Sequence, residues 1–301
     1  MNRTASPWAW LWVVLGLLYF FLPIYGTLDF SLRAKKDQVS FLAYENVLKD
    51  AKFLGTVKTK EDKEGKAFDI AITPGRLRFS VTLSGTIYEF TLGAFTFSAI
   101  LGVATIFFSF LLIVPTAYWV HLKLRWLRPA LEFVTLMPFI IPVVVLTFGL
   151  IRTFSRPPFV LTATPSTTDI LLVAGYIVIT FPYMYRAVDT GLRSIDVATL
   201  TEAAQSLGAG WFTILFRVVF PNLRGALISG ALITFATVIG ELILASFLAR
   251  PTFGPYMAEL GQSKAYEPAA LAMISYALTW ACLGFIQFFN RGRQEQFATV
   301  K

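Results

Sequence analysis

The chain has 301 residues, 56% of them hydrophobic and 15% charged, with 29 Phe and a mean hydropathy of +0.64. A soluble domain of this size cannot hide so much apolar surface, so a multi-span membrane protein is expected. The formal charge of +8 does not imply a nucleic-acid partner, because the basic residues are dispersed between apolar runs and form no compact patch with interleaved aromatics. The single cysteine, Cys282, sits in an apolar run, which excludes a disulfide framework and a cysteine-based metal site.

Runs of roughly 20 apolar residues are long enough to cross about 30 Å of hydrocarbon. Six are expected, at 8–27, 90–119, 131–151, 170–185, 225–248 and 269–289, the fourth being the shortest. The first exceeds the apolar core of about 7–15 residues found in signal peptides, and no small-x-small cleavage site follows it, so it reads as a retained helix. With the N-terminus in the cytoplasm, the inside segments carry 11 Lys and Arg and the short outside connections carry four, Arg152, Arg156, Arg250 and Lys264. That bias places both termini inside.

The resulting division is an N-terminal transmembrane helix (1–27), an extracytoplasmic segment (28–89), a core of five transmembrane helices (90–289) and a cytoplasmic tail (290–301). Within the outer segment, "AFDIAIT" and "LRFSVTL" alternate apolar and polar residues around Pro74 and Gly75, which predicts a β-hairpin. Upstream, "KTKEDKEGK" reads as a charged connector. Its Gly-Lys is no P-loop: Lys60 stands where the first glycine is required and Ala67 where Ser or Thr is required.

Enzyme chemistry finds no support elsewhere. His121 is the only histidine, which excludes His-pair metal sites, and no G-x-S-x-G elbow occurs. Acids inside apolar runs are few, with Glu132 near a cytoplasmic helix end and Glu241 deep in the fifth run. Transport without a catalytic site, cofactor or metal of its own is the expected work. A secondary transporter, driven by intramembrane acids, is the alternative.

Between the fourth and fifth runs, "SIDVATLTEAAQSLGAGWFTILFRVVFPNL" (194–223) interrupts the apolar sequence. Helix formers around "EAAQSL", possible caps at Asp196 and Thr201, a break at "GAG" and a second apolar run ending at Pro221 predict two short helices joined by a bend. The loop is longer than a connection needs, and its projecting carboxylate suits a groove on a soluble cytoplasmic protein.

Glu202-Ala203-Ala204, Gly208 after three intervening residues, and Val218-x-Phe220-Pro221 resemble the EAA signature of type I permease subunits of binding-protein-dependent ABC importers. The resemblance extends over about 90–289, through "LMPFIIPVVV" and "FPYMYRAVDTGLRSID", and leaves out the outer hairpin. It implies an all-α polytopic fold of six transmembrane helices with a cytoplasmic coupling-helix loop, in a prokaryotic inner membrane. The implied partners are a cytoplasmic ABC ATPase dimer carrying ATP and Mg, a second permease subunit, identical or homologous, an extracytoplasmic solute-binding protein and the lipid bilayer. Glu202, Ala203, Ala204, Gly208 and Pro221 would form the ATPase-coupling site, Glu202 pairing with a basic residue and Gly208 permitting the bend.

The solute is addressed by Glu241. An acid in a span costs roughly 2.5–3.5 kcal/mol on insertion scales, so it should face the protein interior, paired at a packing seam or lining an aqueous path. The segment around it resembles permeases for polyamine-like solutes (spermidine, putrescine). On that reading Glu241 favours a cation and Tyr176, Phe181 and Tyr183 are possible aromatic walls; sugar, phosphonate and ferric importers share the architecture. The four-residue spacing of Gly225 with Ser229 and of Ala226 with Gly230 predicts close helix packing, within this subunit or with another.

Overall fold

In hydrocarbon a backbone has no water to bond, so apolar runs close their hydrogen bonds internally as helices. The structure, a computed structural model, describes the backbone of residues 7–35, 38–61, 68–73, 78–83 and 86–298. In chain order its elements are α1 (Pro7–Leu32), α2 (Leu42–Lys49), α3 (Ala51–Leu54), β1 (Gly55–Glu61), β2 (Phe68–Thr73), β3 (Arg78–Leu83), β4 (Thr86–Leu92) and α4 (Ala94–Leu122). After a 3₁₀ turn follow α5 (Arg128–Ile140), α6 (Val143–Phe154), α7 (Pro165–Arg193), α8 (Val197–Ser206), α9 (Trp211–Thr213), a π-helical stretch (Ile214–Val219), α10 (Phe220–Gly240), α11 (Ile243–Phe247), α12 (Phe253–Ser263) and α13 (Glu267–Ala298).

Four helices among the described residues, Trp10–Leu32, Ala94–Leu122, Pro165–Arg193 and Trp211–Gly240, are long and apolar enough to cross a membrane; the bent pair of α5 and α6 makes a fifth if taken as one span. The sixth expected run lies within α13. Three expectations need correction. The third run is not a straight span, since α5 and α6 meet at 101°. Ile141 is held extended (φ −85°, ψ 118°) by Pro142 behind it, as residues before proline generally are. The fourth run is not short: Thr164 caps α7 by accepting from the Thr167 N–H, Pro165 opens it, and its 29 residues run on to Arg193.

The fifth run is displaced at both ends. Its helix begins at Trp211 and passes through Pro221, which was expected to end a helix. Proline lacks the N–H that would bond the carbonyl four residues back and clashes with that carbonyl, and the π-helical turn at Ile214–Val219 widens the helix at this point. At the far end the helix stops at Gly240, and Glu241 is extended (ψ 127°) rather than helical.

The outer segment exceeds the hairpin expected of it. β2 and β3 pair antiparallel from Phe68↔Leu83 to Thr73↔Arg78, while the Pro74–Gly75 turn falls outside the described residues. β4 adds to β3 and β1 to β4, giving a four-stranded antiparallel sheet in the order β1-β4-β3-β2. The charges of "TVKTKE" hid the added strand β1.

Small residues let α7 and α10 approach. A Cβ on Gly191 would lie 2.7 Å from the Ala226 Cβ, and one on Gly230 would lie 2.8 Å from the Met184 sulfur. The Ala226 and Gly230 pair of the fifth run therefore serves a seam inside this chain.

Candidate functional site: the α8 knuckle

α8 follows α7 directly. Asp196 caps it, its carboxylate accepting from the Thr199 N–H at 3.2 Å and the Thr199 hydroxyl at 2.7 Å. Those two bonds hold the Asp196 carboxyl below its ordinary value. Thr201, the other expected cap, lies inside the helix instead. It is buried, donates to the Val197 carbonyl at 2.6 Å and meets the Tyr118 hydroxyl of α4 at 3.1 Å.

The C-terminus closes as a Schellman motif. The Gly208 N–H donates to the Gln205 carbonyl (2.8 Å) and the Ala209 N–H to the Ala204 carbonyl (3.0 Å), with Gly208 left-handed at φ +78°. A Cβ there would meet nothing within 4 Å, so the glycine is required by backbone geometry and not by space. Gly210 then caps α9 with an extended backbone, and the chain turns back toward the membrane core.

The knuckle is fixed at its base and bare at its tip. Val197, Ile214, Leu215 and Val219 are buried in one cluster with Tyr118 of α4, Val188 and Leu192 of α7 and Leu223 of α10. Trp211 stacks on Trp119 of α4 at 6.2 Å, and the Lys123 ammonium lies 5.1 Å from the Trp119 ring centre. Outward, Glu202, Ala203 and Pro221 are exposed, Ala204 and Gly208 bracket the turn, and Leu207 and Phe212 are 89% and 70% exposed. The sequence reading missed Leu207 and Phe212, although large apolar residues beside a helix-ending glycine were the available signal. A cleft of about 390 Å³ beside the knuckle is lined by Glu202, Gln205, Trp119, Lys123 and Arg125.

Next to the knuckle, a polar cavity of about 460 Å³ opens between α5 and α7. Asp189 is its hub, 2.8 Å from Arg193 and 3.4 Å from Arg128, and both arginines also reach Glu132. This network ties the start of α5 to the end of α7, a role the sequence reading did not give to Glu132.

Of the residues expected along a solute path, Glu241 and Tyr176 are neighbours, while Phe181 packs against the separate cluster around Met184 and Tyr185. Glu241 lies where α10 breaks, and its two carboxylate oxygens accept from the backbone N–H groups of Leu244 (2.9 Å) and Ala245 (3.2 Å) at the start of α11. Tyr176 is 1% exposed, packed among Phe97, Leu171, Val238 and Leu244. Phe181 stacks on Tyr185 at 6.3 Å, and the exposed Tyr183 meets Phe139 of α5 edge-on at 5.5 Å. No cluster of three or more His, Cys, Asp or Glu suited to a metal occurs among the described residues.

Residues 113–295 match the protein family described as binding-protein-dependent transport system inner membrane component. That match spans more than half of the chain, and the chain belongs to this family. Among curated relatives, a probable ABC transporter permease protein of Sinorhizobium fredii is 34% identical over 127 residues, 42% of this chain and 22% of the relative. The molybdenum transport system permease protein of Escherichia coli is 30% identical over 123 residues, 38% of this chain and 52% of the relative. The spermidine/putrescine transport system permease protein of Escherichia coli is 30% identical over 82 residues, 27% of this chain and 31% of the relative. The chain thus spans about half the length of these relatives, or less. A solved methionine ABC transporter chain aligns with TM-score 0.48 and 19% identity, over 65% of this chain and 92% of that one.

Proposed function

We propose that this chain is the transmembrane permease subunit of an ATP-driven importer, and that the α8 knuckle is where a cytoplasmic ATP-binding subunit engages it. The observation that carries this reading is the bare tip on a fixed base: Leu207 and Phe212 are exposed while Val197, Ile214 and Leu215 beneath them are buried in the helix core. Force applied to the tip passes through the Schellman turn and the π-helical stretch into α10, and through the Tyr118 to Thr201 contact into α4. ATP and Mg belong to the ATP-binding partner, which would present a groove to Leu207 and a basic group to Glu202. A second permease subunit and an extracytoplasmic binding protein complete the assembly, in a prokaryotic inner membrane with both termini of this chain cytoplasmic.

The test is copurification followed by uptake. An ATP-binding subunit should purify with the chain, and Glu202→Lys and Gly208→Trp should abolish ATP-dependent uptake while the chain still inserts. Wild-type uptake in both variants would overturn the reading.

For the solute, a polyamine-like cation is the reading carried by Glu241. It is supported by the carboxylate standing at a helix break and by the likeness to a spermidine/putrescine permease; the backbone bonds already made by both oxygens weigh against it. Uptake of spermidine, putrescine and a neutral sugar by the reconstituted complex, with wild type and Glu241→Gln, decides it. Sugar uptake, or polyamine uptake unchanged by the substitution, removes the role.

A further inference from the structure

At the end of α7 remote from α8, the buried Arg250 forms an ion pair with the half-buried Asp169. Arg250 is 8% exposed. Its Nη2 donates to Asp169 Oδ2 at 3.0 Å, its Nε lies 2.6 Å from Oδ1, and its guanidinium carbon lies 5.5 Å from the centre of the Phe97 ring of α4. One side chain of the α11–α12 connection thus touches both α4 and α7.

The backbone is arranged to deliver it. α11 ends in a second Schellman motif, the Ala249 N–H donating to the Ser246 carbonyl (3.0 Å) and the Arg250 N–H to the Ala245 carbonyl (2.9 Å). Here the left-handed position is Ala249, at φ +52°, the only non-glycine residue with positive φ among those described. A residue other than glycine or asparagine in that conformation is strained and persists where its surroundings hold it. Beyond it, the Phe253 N–H donates to the buried Ser98 hydroxyl of α4 at 2.8 Å. A Cβ on Gly254 would run into the Glu241 carbonyl oxygen. The segment 243–263 is therefore a wedge seated on α4, α7 and the α10 break, where Leu244, Ala245 and Leu248 are buried with Phe97, Leu171 and Leu172 and the ion pair and the Ser98 bond add polar ties.

Beside the pair, Tyr176 and Thr252 are 1% and 0% exposed, and their hydroxyls face each other. The ion pair differs from the apolar packing around it: ion pairs and hydrogen bonds have discrete made and broken states, which suits a contact that must open.

We propose that the Asp169–Arg250 pair is a latch that holds the α11–α12 wedge shut at the end of the bundle opposite the knuckle, and that its release accompanies the transport cycle. Only the second half of this statement rests on the importer reading. The two are separated by reading hydrogen exchange in the purified chain, in lipid nanodiscs with whatever subunits copurify. Arg250→Met and Asp169→Asn should each speed exchange across 243–263 at least tenfold while leaving 197–206 unchanged, and Arg250→Lys should stay within about threefold of wild type.

In the complex, Arg250→Met should also raise ATP hydrolysis severalfold in the absence of a binding protein. A change of less than twofold in exchange, or an equal rise over 197–206, overturns the latch. Raised exchange with unaltered hydrolysis makes the pair a static staple and also overturns it. Failure of any ATP-binding subunit to copurify sinks the importer reading, while exchange still decides whether the wedge is latched.

Discussion

The two ends of α7 both rest on apolar clusters and differ in where their ion pairs sit: the arginines of the Asp189 network are partly exposed, whereas Arg250 at the other end is buried. At the knuckle, apolar burial dominates: Val197, Ile214, Leu215 and Val219 lie against Tyr118 and Leu223, and only the tip is bare. At the remote end Leu171, Leu172 and Tyr176 are likewise buried, with Phe97, Leu244 and Leu248. The buried guanidinium of Arg250 is added on Asp169, with further polar ties around the wedge from Ser98 to the Phe253 amide, Asp50 to the Tyr256 hydroxyl at 2.8 Å and Lys52 to Glu259 at 3.0 Å. Packed apolar seats transmit displacement because they have no alternative arrangement of similar energy. Polar contacts can be exchanged one at a time. The remote end therefore adds releasable polar ties to its apolar seat, and it is the releasable end in that sense.

The outer insertion belongs to the releasable end. Its root is anchored, since Ala43, Val47 and Phe53 are buried with Phe253, Tyr256 and Leu271. Burial and the hydrogen bond to Asp50 push the Tyr256 phenol above its ordinary value. The insertion thus stands on α12 and α13, so a load placed on it would reach the wedge.

The largest effect that would break this contrast comes from that root. Phe53→Ala should destabilise the insertion by about 3–5 kcal/mol, as buried Phe truncations do, read as faster proteolysis within 28–93 with the knuckle intact. Equal loss at both ends would mean that they are not separate units. Gly208→Ala should cost the knuckle about 1–2 kcal/mol, the penalty for a left-handed L-residue, and exchange over 197–206 should rise tenfold or more without change at 243–263.

Thr201→Val sharpens the contrast. Removing its buried contact with Tyr118 should cost about 1 kcal/mol, a small loss if apolar packing dominates there; a loss above about 3 kcal/mol would reverse the assignment. The smallest effect is one of pH. The folded Asp196 carboxyl titrates below its unfolded value, so its contribution is present above about pH 4 and declines as pH falls through the folded value. Amide protection at the start of α8 should be level from pH 8 to pH 5 and weaken below about pH 4, and a decline beginning near pH 6 would assign it to another group.

Much of the stiff end was legible in sequence. Asp196 before "VATLTEAA" and Gly208 after it are backbone requirements that few other residues meet, so the helix and its bend could be read directly. The passage of the helix through Pro221 could not, because a missing N–H is compatible with a stop, a kink or a π turn, and packing on Tyr118 and Val188 selects among them. The 101° bend at Ile141 and Pro142 left only a proline as its sign.

The releasable end was nearly silent. Arg250 appeared as one positive charge in a topology count, its partner Asp169 lies 81 positions away, and the turn that delivers it uses alanine where glycine is the usual signal. Strand β1 was hidden by its charges, and Leu207 and Phe212 by a composition in which apolar residues are everywhere.

The most direct test of the stiff, engaged knuckle is a cross-linking comparison between the ends. With Cys282→Ser as background, Leu207→Cys and Val57→Cys are each treated with a short bifunctional thiol reagent in the complex purified with its ATP-binding subunit. The account predicts a Leu207→Cys adduct with the ATP-binding subunit, altered in yield by trapping ATP, and no such adduct from Val57→Cys on β1. No adduct from Leu207→Cys, or equal adducts from both positions, would contradict it.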